Sequence, residues 1–141
     1  IKLYPNYADA YAIIGSAYSF TGRSIDAIRI NRHAMRLNPT SSFIYYANLG
    51  RDYYFLGQQQ KAIESLESGI FRNENYLNAH LYLAATYASL DQIDEASWEM
   101  EKVLILEPEF SLNYWAQTQP YTSKARLARM VADLRKAGLP D

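Results

Sequence analysis

The sequence predicts an all-α fold, a solenoid built from stacked antiparallel helix pairs. Three observations carry that prediction. The first is a period of 34–35 residues: Tyr18, Tyr53 and Tyr87 recur at that spacing, as do Ala27, Ala62 and Ala96, and Gly15, Gly50 and Ala84. Tyr11, Tyr46, His80 and Tyr114 keep the same period, and so do Pro5, Pro39 and, two periods on, Pro108. The second is that apolar residues within each period fall at helical spacing, and no stretch alternates like a strand. The third is that turn residues interrupt each period once in its middle and once at its end. A helix–turn–helix unit of this length cannot bury its apolar face alone, so its copies stack.

The elements follow in order. The chain opens on "IKLYPNY", and Pro5 precedes Pro39 by 34 residues. Residues 1–7 are therefore expected to close a truncated upstream repeat, with Ile1 to Tyr4 as the last turn of its second helix. On that expectation the chain is a piece of a longer solenoid, and Tyr11 and Ile14 lie at an exposed edge. Repeat 1 spans residues 8–42. A helix from Ala8 to about Phe20 carries Tyr11, Ile14, Ala17 and Tyr18 on one face. "TGR" breaks it, with Gly22 as a left-handed cap. A second helix from about Ser24 to Leu37 has Ile25, Ala27, Ile28, Ala34, Met35 and Leu37 as its apolar set. Asn38-Pro39 ends it, because the residue before proline avoids helical backbone.

Repeat 2, residues 43–76, renews the pattern as "FIYYANLGRDYYFL", "GQQ" and "QKAIESLESGIFR". Repeat 3, residues 77–110, reads "LNAHLYLAATYASL", "DQI" and "DEASWEMEKVLIL". Residues 111–141 are a partial repeat and a capping helix, so the chain is expected to be one domain, 1–141. The partial repeat has Tyr114 in register but should stop early at Pro120. A final helix runs from about Ser123 to Ala137, capped by Thr122 or Ser123 and stopped by Gly138 and Pro140. Its stripe is Leu127, Met130, Val131 and Leu134, while Lys124, Arg126, Arg129, Arg135 and Lys136 are expected to face water. Such a helix covers the apolar face that a last repeat would otherwise expose.

Composition narrows the functional classes. With 49% apolar residues and a net charge of −1, the chain is not of the disordered class. It has no cysteine, which excludes disulfides and thiolate metal sites and fits a reducing, cytoplasmic setting. No apolar run reaches the length of a membrane span. The near-zero charge hides a division: residues 1–56 balance to +3, residues 57–110 to −7 and residues 111–141 to +3. An acidic middle can steer a basic partner, although solvated helix faces are the plainer reading.

Catalytic signals are missing. His33 and His80 have no ligand-spaced partner; His33 is expected on a helix surface, and His80 in an aromatic slot where packing is its role. The run Asp91, Asp94, Glu95, Glu99, Glu101 lacks the loop and glycine of a calcium site. No phosphate loop, zinc-binding helix or nucleophile elbow is present. Neither a catalytic residue, a metal nor a cofactor is expected, and the chain is read as non-enzymatic. The basic last helix is read as a solvated capping face, so nucleic acid is not the expected partner.

The segments "YAIIGSAY…AIRINRHA…P", "YANLGRDY…AIESLESG" and "HLYLAATY…ASWEMEKV…P" resemble the tetratricopeptide repeat, TPR. The small residues at 15, 50 and 84 then lie where paired helices approach, and the tyrosines at 18, 53 and 87 fill the space between repeats. Asn31 departs from the pattern, in a slot where a large apolar residue is usual and Leu66 and Met100 comply. Glu74 replaces a repeat-ending proline, and Asp91 a loop glycine. The resemblance implies a right-handed superhelix of about three full repeats plus the cap, binding a protein or peptide on a concave face. Its ligand-facing positions map onto Asp9, Ala12, Ser16, Ser19 and Phe20; onto Ile44, Ala47, Arg51, Tyr54 and Phe55; and onto Asn78, Leu81, Ala85, Ala88 and Ser89. The Lys/Asn/Arg set that clamps a terminal carboxylate is missing apart from Arg51. An apolar groove with an aromatic centre at Phe20, Tyr54 and Phe55 suits an apolar peptide or helix. The competing expectations are that neighbouring repeats or the final helix fill the groove, or that the chain serves homodimerisation without a peptide ligand.

The ending "LEPEFSLNYWAQTQPYTSKARLARMVADLRKAGLPD" is similar to the C-terminal TPR tract of bacterial signalling proteins. Those carry a class III adenylate/guanylate cyclase or a winged-helix domain upstream. The resemblance implies a regulatory or recruiting role for this chain, beside chemistry performed elsewhere.

Overall fold

The computed structural model describes residues 8–141, with Asp9 described by its backbone alone. The expectation for Ile1–Tyr4 therefore lies outside the described residues. Among the described residues there are eight helices and no strand. They are α1 (Ala8–Phe20), α2 (Ser24–Leu37), α3 (Phe43–Phe55), α4 (Gln59–Arg72), α5 (Leu77–Ser89), α6 (Ile93–Leu106), α7 (Leu112–Thr118) and α8 (Lys124–Lys136). Within pairs α1 packs on α2, α3 on α4 and α5 on α6, while α2–α3 and α4–α5 contacts join the pairs into a stack.

The turns inside the three pairs are copies of one another. Gly22, Gly57 and Asp91 occupy the same slot with φ of 84°, 76° and 59°. After each, a backbone N–H reaches five residues back: Arg23 to Tyr18, Gln58 to Tyr53 and Gln92 to Tyr87, at 2.8–3.0 Å. This left-handed cap satisfies carbonyls that the helix end would leave unpaired. Aspartate tolerates that backbone better than most residues, which explains how Asp91 replaces glycine. A Cβ built on Gly57 meets nothing within 4 Å, so only backbone strain opposes a side chain there. Gly57→Ala is therefore expected to cost about 1–2 kcal/mol in urea unfolding, with the slope of the transition unchanged.

The second helices are amphipathic. On α2 the buried residues are Ser24, Ala27, Ile28, Asn31 and Ala34, one stripe at three- and four-residue spacing. The middle first helices are not: most of α3 and α5 is buried, because each has neighbours on several sides. Asn31 is buried in its large-residue slot, where its amide donates to the Tyr45 carbonyl at 2.6 Å and so ties α2 to α3. Tyr53 accepts from Arg32, and the Tyr87 hydroxyl donates to Glu67 at 3.2 Å, so both bridge to the preceding second helix. Tyr11 and Ile14 are each half-buried, Tyr11 edge-on to His33 with ring centres 4.8 Å apart.

The expectation of plain packing for His80 is corrected. Its Nδ1 lies 2.6 Å from a Glu99 oxygen and its Nε2 2.7 Å from the Glu74 carbonyl, with His80 and Glu99 both buried. Both ring nitrogens face acceptors, because a polar side chain in this interior needs partners. His80 thus joins α5 to α6 and to the end of the second pair.

The C-terminal part departs most from expectation. Pro120 does end α7 early, and Gln119 before it is extended, with ψ of 129°. Ser123 caps α8 by accepting from the Arg126 N–H. However, α8 does not simply continue the stack beyond α6. It packs on α5 and α7, and its buried stripe Met130, Val131 and Leu134 joins the same cluster as Leu81, Ala85 and Tyr54. The chain end clasps this arrangement: Leu139 is buried, and the Leu112 N–H donates to the Pro140 carbonyl at 2.8 Å.

Candidate partner-binding face

The first helices α1, α3 and α5 line one side of the stack, and the mapped positions fall along it. Toward the N-terminal ends of α1 and α3 this face is open. Ala12, Ile13 and Ser16 of α1 and Ser42, Ile44, Tyr45 and Asn48 around α3 line a hollow of about 410 Å³. Ile13 and Ile44 are 72% and 41% exposed there, and the Asn48 amide donates to the Ser16 hydroxyl at 3.3 Å across the floor. Ser42 caps α3 at this rim by accepting from the Ile44 N–H. The side chain of Asp9 lies outside the described residues.

Toward the other end the face is closed by the chain itself. Tyr121, in the link between α7 and α8, sits edge-on to both Phe20 and Phe55, with ring centres 4.9 and 5.5 Å away. Edge-to-face contacts of this kind are favoured by the ring quadrupoles. The Thr122 N–H donates to the Phe20 carbonyl at 3.0 Å. From α8, Arg129 donates to the carbonyls of Tyr54 and Phe55 at 3.2 and 3.3 Å and lies over the Tyr54 ring. Arg126 lies over Phe55 and donates to Ser24 at 2.8 Å. Asp133 accepts from the Tyr54 hydroxyl.

Several site expectations are corrected by this closure. Ala47, Arg51, Tyr54, Phe55, Leu81 and Ala85 are all buried, with Tyr54, Leu81 and Ala85 at 0% exposure, so none offers surface to a partner in this arrangement. Phe20 is half-buried beneath Tyr121, and Asn78 is half-buried with its amide 3.4 Å from the Tyr76 hydroxyl. Arg126 and Arg129 do not simply face water. Arg126 is half-buried with its guanidinium bonded to the Ser24 hydroxyl, while Arg129 stays exposed yet satisfies the Tyr54 and Phe55 carbonyls at the end of α3.

Beneath the closure lies a polar seam. Ser19 accepts from Arg51 Nε at 2.9 Å and donates to Asp52, so the two opposite charges communicate through one hydroxyl. The Arg51 guanidinium also lies 4.5 Å from the Phe20 ring centre. Burial pushes the Asp52 carboxyl up from 3.8 to about 6, against the opposing pull of Arg51 and the Ser19 hydroxyl. Burial also works against the charge on Arg51, but Tyr82 and Asp52 beside it outweigh that and raise its pKa. Tyr54 and Tyr121 are both pushed up, chiefly by burial. Among the described residues no group of three or more His, Asp or Glu is placed to hold a metal, and no helix is long and apolar enough to cross a membrane.

The seam was not visible as a unit in the sequence. Ser19 and Arg51 fall on inner-face positions, but nothing at sequence level ties Ser19 to Asp52, 33 residues away.

A stack of helix pairs with a lined inner face defines a helical-repeat scaffold. Residues 8–41 match the tetratricopeptide repeat, and the chain has the fold of TPR solenoids. No curated protein matches it in sequence. Among solved structures, MamA is similar over 94% of this chain and 77% of its own, at 27% identity and a TM-score of 0.70. The first TPR of Spaghetti (RPAP3), bound to an HSP90 peptide, is similar over 97% and 94%, at 21% identity and a TM-score of 0.71. The second TPR domain of human RPAP3, in complex with an HSP70 peptide, is similar over 92% and 97%, at 19% identity and a TM-score of 0.66.

Proposed function

We propose that this chain is a non-catalytic interaction scaffold that takes a protein or peptide partner at the open end of its inner face. The hollow between α1 and α3 carries the reading: it joins exposed Ile13 and Ile44 to a hydrogen-bonding floor of Ser16 and Asn48. That combination suits an apolar side chain with polar backbone on either side of it. Peptide-bound TPR domains of the same fold support the class of partner. The test is selection of peptides from a random display library on the full chain, followed by rebinding to Ile44→Asp. Affinity should fall at least tenfold, and equal binding to both proteins would overturn the reading.

The resemblance of the ending supports a role as the regulatory part of a bacterial cyclase-type or winged-helix signalling protein, and the cysteine-free composition supports a place in the cytoplasm. The repeat divisions 8–42, 43–76, 77–110 and 111–141 belong to the same proposal. The open reading frame that encodes this chain tests it: a cyclase or winged-helix domain in the same frame supports the proposal, and a frame without either removes it.

A second reading is self-association, favoured by Phe71 and Ile105, 90% and 78% exposed. Ile105 borders a cleft of about 250 Å³ that also includes Ile70 and Leu106. Light scattering decides it: a wild-type dimer that Phe71→Asp turns monomeric supports it, and a wild-type monomer removes it.

A further inference from the structure

We propose that the outer face of the stack carries a second docking site, a slot on α6 that takes an arginine side chain displayed by a basic protein segment. It lies on the second-helix side, away from the hollow between α1 and α3, and does not rest on that hollow's function.

The slot is lined by Tyr87, Asp94, Glu95, Trp98 and Glu99 and measures about 280 Å³. Asp94 and Glu95 precede Trp98 by four and three residues on α6, so all three side chains share one helix face. Trp98 is 64% exposed, although a large aromatic ring normally finds cover in a stack of helices. Tyr87 of α5 forms the far wall, held in place by its hydrogen bond to Glu67 of α4 at 3.2 Å. With Asp94, Glu95 and Glu99 the slot has three carboxylates in its lining. The result is an open aromatic plane bordered by negative groups.

Charge complementarity selects the occupant. Residues 57–110 hold ten acidic and three basic residues. Of those cations, Lys102 is bound to Glu99 at 3.1 Å and lies 5.5 Å from the Trp98 ring centre. Lys61 lies 5.7 Å from the Tyr53 ring, and Arg72 lies over Tyr46. Trp98 thus already draws a cation from its own helix, while Asp94 and Glu95 have no ion-pair partner among the described residues. A purely apolar partner would bury those carboxylates without compensation. A lysine would satisfy the charge but meet the ring only as a point charge, as Lys102 does, without stacking on it. A guanidinium stacks on an indole and bonds carboxylates with the edge of its fork, which matches both features at once.

The experiment is fluorescence anisotropy with labelled tetra-arginine amide on the full chain at low ionic strength. Binding is expected that weakens with added salt, at least threefold tighter than tetra-lysine amide. Trp98→Ala should weaken it about tenfold, as should the pair Asp94→Asn with Glu95→Gln. The pair Glu107→Gln with Glu109→Gln, the same charge change on exposed residues elsewhere, should leave it within twofold. Circular dichroism confirms that each variant is folded, which the exposure of these side chains favours. Absence of binding, equal affinity for tetra-lysine, indifference to Trp98→Ala or an equal loss in the remote pair would each overturn the proposal.

Discussion

Replacing Arg51 by leucine is expected to destabilise the chain by about 3–5 kcal/mol at pH 7, among the largest effects of any single change. Arg51 is 3% exposed, and its loss leaves the buried Asp52 carboxylate without its countercharge and Ser19 without a donor. The pH dependence separates this cause from lost packing. In the native protein Asp52 titrates near 6, above its ordinary 3.8, so the folded state binds more protons than the unfolded state between those values. Stability contributed by the neutral carboxyl is therefore present below about pH 4 and is lost as pH rises to about 6. Arg51 opposes that rise in pKa, so without it the carboxyl is pushed higher and the loss extends to higher pH. The cost of Arg51→Leu should then be smaller at pH 4 than at pH 7 in denaturant titrations. A cost independent of pH would mean that the guanidinium acts only by filling space. Asp52→Asn in the native background should remove the slope between pH 4 and 6.

The second large effect is expected at Gly50. A Cβ added there would stand 2.3 Å from Leu66 Cγ and 2.6 Å from its Cδ2, and Leu66 is 0% exposed with no room to swing away. Gly50→Ala should cost about 1–3 kcal/mol by overpacking, even after the gain in helix propensity. Gly15 occupies the same slot one repeat earlier, where an added Cβ meets its nearest atom, the Ala27 carbonyl oxygen, at an ordinary 3.5 Å. Gly15→Ala should therefore be neutral or stabilise by up to about 1 kcal/mol. Urea unfolding of both variants checks the contrast, and a favourable coupling of Gly50→Ala with Leu66→Ala would confirm the contact. Equal effects at the two glycines would mean that the repeat slot, not its filling, sets the requirement.

That pair shows how far a repeat can be read from sequence. The period placed Gly15 and Gly50 in one class, correctly as to helix approach, yet the distance to the facing side chain differs by more than an ångström. The ends of α1 and α2, the left-handed cap at Gly22 and the early stop of α7 were all legible. Each rests on local chemistry: proline geometry, caps and apolar spacing. The candidate face was legible as a set of positions, and the final helix as one of the fillings weighed for it, but not the contacts that seat it. Tyr121 meets Phe20 from about a hundred residues away, and Arg129 meets Tyr54 from 75. His80 and Asn31 likewise hold buried hydrogen bonds where their slots predicted packing or an apolar residue.

The amino-acid order alone was enough to specify the helices, their pairing and the stack, because these depend on contacts within one period or between adjacent ones. The path of α8 needed the assembled fold. Its apolar stripe alone does not say which face of the stack it covers. It took the inner one because the seated helix also brings Arg126, Arg129 and Asp133 within hydrogen-bonding reach of Ser24 and of the Tyr54 and Phe55 end of α3. Those partners exist as a single surface only once three helix pairs are stacked. What the apolar stripe leaves open is settled by polar satisfaction, and polar satisfaction is a property of the whole arrangement.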